Sequence, residues 1–185
     1  MMKKYVILFC TVILCISCHD RTKKQKPKQF FSLKHFFEQE EIRLSKTKKD
    51  IHITKSVLHN GQFERKNIII QNWKNELSTF IESDINKPAW RDSYRTLGDS
   101  THIYYYALDS NLRTRSIHVQ KNIAGIVRID IINKTSNLLY QSHEHLIYIP
   151  DSIYTIRKNQ HVILLGNNSY LISGKFGYSL PSIRP

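Results

Sequence analysis

No cysteine follows Cys18 in a chain of 185 residues. Downstream of that point an internal disulfide, a thiol nucleophile and a cysteine-ligated metal are excluded, and the fold must stand on an apolar core. Glycine is scarce, six in all. None sits in a phosphate-cradling loop or in the Gly-x-Ser-x-Gly turn that exposes a nucleophilic serine. Acidic residues do not balance the basic ones, with 15 Asp+Glu against 28 Lys+Arg. From Gln29 onward the counts are 14 and 21, which leaves a surplus of seven positive charges. Such a surface favours anionic partners. Long hydrophobic runs are absent except for Tyr5 to Ile16. As a helix this run of about twelve residues would reach roughly 18 Å, short of the ~30 Å hydrocarbon core of a bilayer.

What is present at the N-terminus is the order of a secretory signal. Lys3 and Lys4 form a basic start, the apolar run follows, and Ser17-Cys18 closes it. Of the three cysteines, Cys10 follows Phe9 and Cys15 follows Leu14, both bulky, whereas Cys18 follows the small Ser17. Cys15-Ile16-Ser17-Cys18 resembles the lipobox of bacterial prolipoproteins, with Cys15 at the position where Leu is commonest. The resemblance covers this segment alone. It implies that residues 1–17 are a signal peptide removed on export and that Cys18 receives a diacylglycerol and further acylation. Each buried methylene then contributes roughly 0.8 kcal/mol to anchoring, so two or three chains hold firmly. The domain would lie outside the cytoplasm on a bacterial membrane, the outer rather than the inner. Residues 18–29, rich in Lys and Arg and almost without apolar side chains, read as a basic flexible tether able to lie on anionic headgroups.

Residues 30–180 read as one α+β domain and 181–185 as a frayed tail. Ser32 predicts the start of a helix that carries Leu33, Phe36, Phe37 and Leu44 on one face. Asn60-Gly61, between two alternating runs, predicts a β-hairpin over 51–69. Asn72 caps a second expected helix whose Trp73, Leu77, Phe80 and Ile81 recur at helical spacing. Pro88 forbids its continuation, and 83–99 reads as irregular with one short helical turn. From Thr101 the periodicity becomes two. Strands are expected at 101–108, 113–121, 124–132, 138–149, 152–157, 161–165 and 170–176, with turns at 109–111, 133–137, 150–151 and 166–168. Short connections between them imply an antiparallel meander. The expected architecture is a curved antiparallel sheet, meander or half-barrel, of about eight strands packed against two helices. Its shape is similar to that of the envelope carriers that shuttle lipids or lipoproteins, and the half-barrel interior would be the site if the ligand is a lipid.

Candidate chemistry is sparse. His143 and His145 share one face of a strand and would offer two imidazoles to a metal, without a locatable third ligand. Asp84, Asp92 and Asp99, gathered around Trp90 and Tyr94, have the composition of a glycan site, with carboxylates for acid–base work and rings to stack a sugar. Tyr104 and Tyr106 lie on one strand face as a potential binding stripe. Trp90, Tyr94, Tyr104 and Tyr106 are therefore the candidate ligand-binding residues, Cys18 is the lipidation site, and no catalytic residue, metal or cofactor is assigned. The expected function is that of a non-catalytic binding or accessory module on the envelope. Its partners would be the membrane itself through the N-terminal lipid and an anionic envelope component, a lipid or an envelope protein, not nucleic acid. An envelope glycan-acting enzyme and an immunity or inhibitor protein for an exported toxin are the alternatives.

Overall fold

The computed structural model describes residues 30–47 and 51–178. The signal peptide, Cys18, the tether and the tail lie outside the described residues. Helix α1 (Leu33–Lys46) begins where Ser32 accepts the His35 N–H at 3.1 Å. Asp84 reinforces this start by accepting the Lys34 N–H at 2.8 Å and the Ser32 hydroxyl at 3.2 Å. Helix α2 (Trp73–Ile81) begins where Asn72 accepts the Asn75 N–H at 3.0 Å. Both caps satisfy backbone donors that a helix start leaves unpaired.

Nine strands form one antiparallel, curved, open sheet. They are β1 (Ile51–His59), β2 (Gln62–Ile68), β3 (Tyr94–Gly98), β4 (His102–Ala107), β5 (Thr114–Asn122), β6 (Gly125–Ser136), β7 (Tyr140–Ile149), β8 (Ile153–Val162) and β9 (Gly166–Tyr178). The spatial order is β2-β1-β9-β8-β7-β6-β5-β4-β3. Strands β3 to β9 are thus a plain meander, and β9 then pairs with β1, Ile51 opposite Tyr178 and His59 opposite Tyr170. The hairpin turn is as its dipeptide demands: Asn60 has φ 46° and Gly61 φ 87°.

Three boundaries depart from the sequence reading. A strand, β3, occupies 94–98, where an irregular segment was expected; Tyr94 points into the core and the strand pairs with β4. The expected strands 152–157 and 161–165 are one strand, β8. Its polar middle, Lys158 to Gln160, stays extended because β7 and β9 pair with it on both sides. The turn falls at 163–165 instead of 166–168. Likewise β6 runs on through Asn133 to Ser136, and Asn137 makes the turn by accepting the N–H groups of Leu139 and Tyr140 at 3.0 and 2.8 Å.

Both helices cover one face of the sheet. Leu33, Phe37 and Leu44 of α1 and Trp73, Leu77 and Phe80 of α2 are buried against Ile53, Ile129, Ile131, Leu146, Tyr148 and Tyr154. Each such side chain contributes roughly 1.5–3 kcal/mol when fully withdrawn from water. Tyr148 lies at the centre, edge-on to Phe37 at 5.0 Å and near Phe80 at 5.9 Å, and donates its hydroxyl to Glu40. Tyr154 donates to Glu76, which Lys55 grips at 2.6 and 2.9 Å. Trp73 stacks on Phe176 of β9 at 5.7 Å. Helix side chains thus fill the middle of the covered face, where the sequence reading placed a ligand interior. Among the described residues no helix is long and apolar enough to cross a membrane.

Candidate functional site

The four aromatic residues singled out in the sequence fall on opposite faces. Tyr94 is only 1% exposed and donates its hydroxyl to the Thr114 carbonyl at 2.8 Å. Burial pushes its phenol up to about 12. It is a core residue. Trp90, on a short 3-10 turn (Pro88–Trp90), lies 6.4 Å from Tyr94 and under the Lys87 ammonium at 4.0 Å. Tyr104 and Tyr106 stand on the helix-free face, near-parallel at 6.3 Å. Tyr104 gives a ring face to His118 at 4.2 Å. The two pairs therefore do not form one site.

Around Tyr104 the helix-free face carries a polar row. His102 Nδ1 and His118 Nε2 are 3.0 Å apart, so one donates and the other accepts, and a neutral tautomer serves the contact. Burial holds His118 below the ordinary imidazole value against the opposing pull of Asp130. Asp130 takes two bonds from Arg128, at 2.6 and 2.8 Å, and lies 3.5 Å from His145. Burial alone would raise the Asp130 carboxyl, but Arg128 and His145 outweigh it and hold it low. His143 is exposed and apart from this row. Among the described residues no three His, Cys, Asp or Glu side chains are placed to hold a metal.

The aspartates serve local structure. Asp84 caps α1 and also accepts the Asn86 N–H at 2.8 Å. Asp99 holds the β3–β4 turn through Thr101 and His102, which lower its carboxyl to about 2. Asp92 is exposed beside Arg91. On the covered face, Glu144 is the hub of a buried seam. It meets Arg113 at 2.8 Å, Lys158 at 3.1 Å and the Asn133 amide at 3.1 Å, and Asn133 continues to Ser83 at 2.9 Å.

The turns β1–β2, β4–β5, β6–β7 and β8–β9 all lie at one end of the sheet, here called the distal end. A depression of about 400 Å³ opens there, lined from β6 by Lys134 and Thr135, from β7 by Gln141, Ser142 and His143, and from β8 by Asn159, Gln160 and His161. Asn60 and Asn167 to Ser169 complete it. Its wall is laced together: Asn60 and Ser169 exchange bonds at 3.1 and 2.8 Å, and His161 meets Asn167 at 2.8 Å. Ser142, one of the lining residues, is buried, and its Oγ has no partner among the described residues. The lining is amide, hydroxyl and imidazole with one ammonium, groups that bind by hydrogen bonds. A second depression of about 450 Å³ shares Lys134 and Thr135 and adds Arg113, Arg115, Ser110, Asn111 and Ser136.

Large apolar side chains gather at the same end. Leu58, Phe63, Leu108, Leu138, Leu139, Ile163, Leu164 and Leu165 are eight of the thirteen exposed large hydrophobics among the described residues. The sequence reading assigned 133–137 and 166–168 to turns by composition and passed over the distal end. The readable signal was the Asn, Gln, Ser and His cluster repeated where successive strands meet. No protein-family model, curated protein or solved structure matches this chain.

Proposed function

We propose that the chain is an envelope lipoprotein, cut before Cys18 and anchored by lipid on that cysteine, whose folded domain is a non-catalytic binding module. The distal end is its ligand surface. The observation that carries this reading is the pair of adjoining depressions there, lined by amides, hydroxyls, imidazoles and the cations Lys134, Arg115 and the Glu144-bound Arg113, with no carboxylate in the lining. Groups of that kind fit an anionic or polyhydroxylated envelope component, and the surplus of seven positive charges after Gln29 favours the anionic one. The signal, the lipobox-like Cys15–Cys18 and the basic tether supply the location.

Native mass spectrometry of the chain extracted from membranes, expressed with its own signal beside Cys18→Ala, tests both halves. A mature chain beginning at Cys18 with acyl mass supports the anchor. A non-covalent mass that Lys134→Glu removes supports the distal site. A chain retaining Met1 without acyl mass overturns the anchor, and a bound mass indifferent to Lys134→Glu overturns the site.

A further inference from the structure

Turn residues are ordinarily Gly, Asn, Asp, Pro or Ser, which tolerate tight backbone and water together. Two neighbouring turns at the distal end break that pattern. Leu138-Leu139 and Ile163-Leu164-Leu165 sit at their tips, exposed by 88, 61, 54, 91 and 84%. A backbone bond from Ile163 to Leu139, at 3.2 Å, joins the two turns into one projection. Apolar side chains grouped this way on an exposed tip mark a surface that meets another apolar phase.

The cations nearby identify that phase. Lys134 lies two residues before the end of β6 and four before Leu138, which at about 3.3 Å per residue places it at most roughly 13 Å behind the tip. Arg113 and Arg115 share the second depression with it. Arg113 is engaged by Glu144, and Arg115 donates one guanidinium N–H to the Asp109 carbonyl at 2.9 Å, which fixes it at this end with its charge unopposed by a carboxylate among the described residues. In the four distal turns the one carboxylate is Asp109, which accepts the Asn111 N–H at 2.8 Å. An interfacial element buries its apolar side roughly 5–10 Å into the boundary of headgroups and acyl chains, with its cations at the level of the phosphates. The leucine tip and the basic depression behind it have that layering.

We infer that the distal end docks on an anionic lipid bilayer, the leucine and isoleucine turns entering the interface and Arg115 and Lys134 meeting lipid phosphates. This names the partner of the surface proposed above and rests on that reading of the distal end as the binding surface. Docking is separate from the acyl anchor: it governs which side of the domain faces the bilayer.

The test uses the full chain reconstituted in vesicles of phosphatidylcholine with an equal part of phosphatidylglycerol, the lipids brominated on their acyl chains. Leu164→Trp is compared with Ile123→Trp, a fully exposed position in the β5–β6 turn at the opposite end of the sheet. The parent chain supplies the background from Trp73 and Trp90. Interfacial burial predicts that the added emission at 164 is quenched at least about twofold more than that at 123. The excess should vanish when Arg115→Glu and Lys134→Glu are added, or when phosphatidylglycerol is omitted. Equal quenching at the two positions overturns the inference. So does quenching at 164 that ignores the charge reversal, or a concentration-dependent dimer that buries position 164 against a second copy. Acyl mass on Cys18 and quenching at 164 are independent readouts, so a failed anchor and a failed docking surface are told apart.

Discussion

Glu144 shows how one side chain ties the stability of this domain to pH. Burial alone would raise its carboxyl. The Asn133 amide, the Arg113 guanidinium and the Lys158 ammonium together outweigh burial and hold it below its ordinary value of 4.5. A carboxyl depressed in the folded state contributes stability that is complete above the unfolded value and is lost as the pH falls through the folded one. Glu144→Gln should cost about 1–2 kcal/mol near neutral pH, since removing the charge strands two cations that are each about a third exposed and so partly solvated. The difference in melting temperature between parent and variant should then shrink as the pH drops below 4.5, where the parent loses the same charge. A difference that persists unchanged into acid would show that the residue acts through packing instead. The sequence carried only the alternation that separates Glu144 from its neighbours and did not show its partners Arg113, Asn133 and Lys158, which lie on or beside other strands. Glu144 sits between His143 and His145, and the eye goes to the histidines; only pleating, which turns alternate residues to opposite faces, sends the glutamate inward and His143 and His145 out.

At the scale of elements, the parts legible in the sequence are those whose determinants are local. Both helices begin at the expected cap, and the hairpin turns at Asn60-Gly61 because these residues reach positive φ at little steric cost. The illegible parts depend on neighbours distant in sequence. Nothing in Lys158-Asn159-Gln160 favours a strand, yet β7 and β9 on either side make it one. Gly174 is a sharper case. Its place in β9 is directly against the phenol of Tyr154 in β8, and a Cβ there would lie 2.1–2.3 Å from the ring carbons and hydroxyl oxygen. The close approach lets Tyr154 lie flat and reach Glu76 on α2. Gly174→Ala should therefore force the ring away and destabilise the domain by about 1–3 kcal/mol, the range of an overpacked core. Equilibrium denaturation reads the loss directly. Tyr154→Phe in the same background should add less than it does in the parent, because the hydrogen bond to Glu76 is already broken. Full additivity would mean that the ring does not move.

The open sheet is completed by a pairing between the first and the last of its described strands. β1 cannot take its place until β9 exists, so contacts of long sequence separation complete the sheet, a topology associated with folding in milliseconds to seconds. The same pairing decides how the domain comes apart. The hairpin, both helices and the C-terminal strands share one core, in which Ile53 of β1 is wholly buried and pairs on one side with Ile68 and on the other with Phe176. The N-terminal layer therefore has no core of its own, and the domain should unfold in one step. Trp73, stacked on Phe176, reports the joint between the two ends of the chain. With Trp90→Phe to isolate it, its fluorescence should follow the far-ultraviolet circular dichroism of the whole sheet through the same denaturant midpoint. Ile53→Ala should lower that midpoint by the equivalent of about 3 kcal/mol, move both signals together and leave the slope unchanged. If fluorescence instead changed at lower denaturant than dichroism, the N-terminal layer would be peeling from a meander that stands alone. The β1–β9 pairing would then be a latch on the fold and not the joint that makes it one cooperative unit.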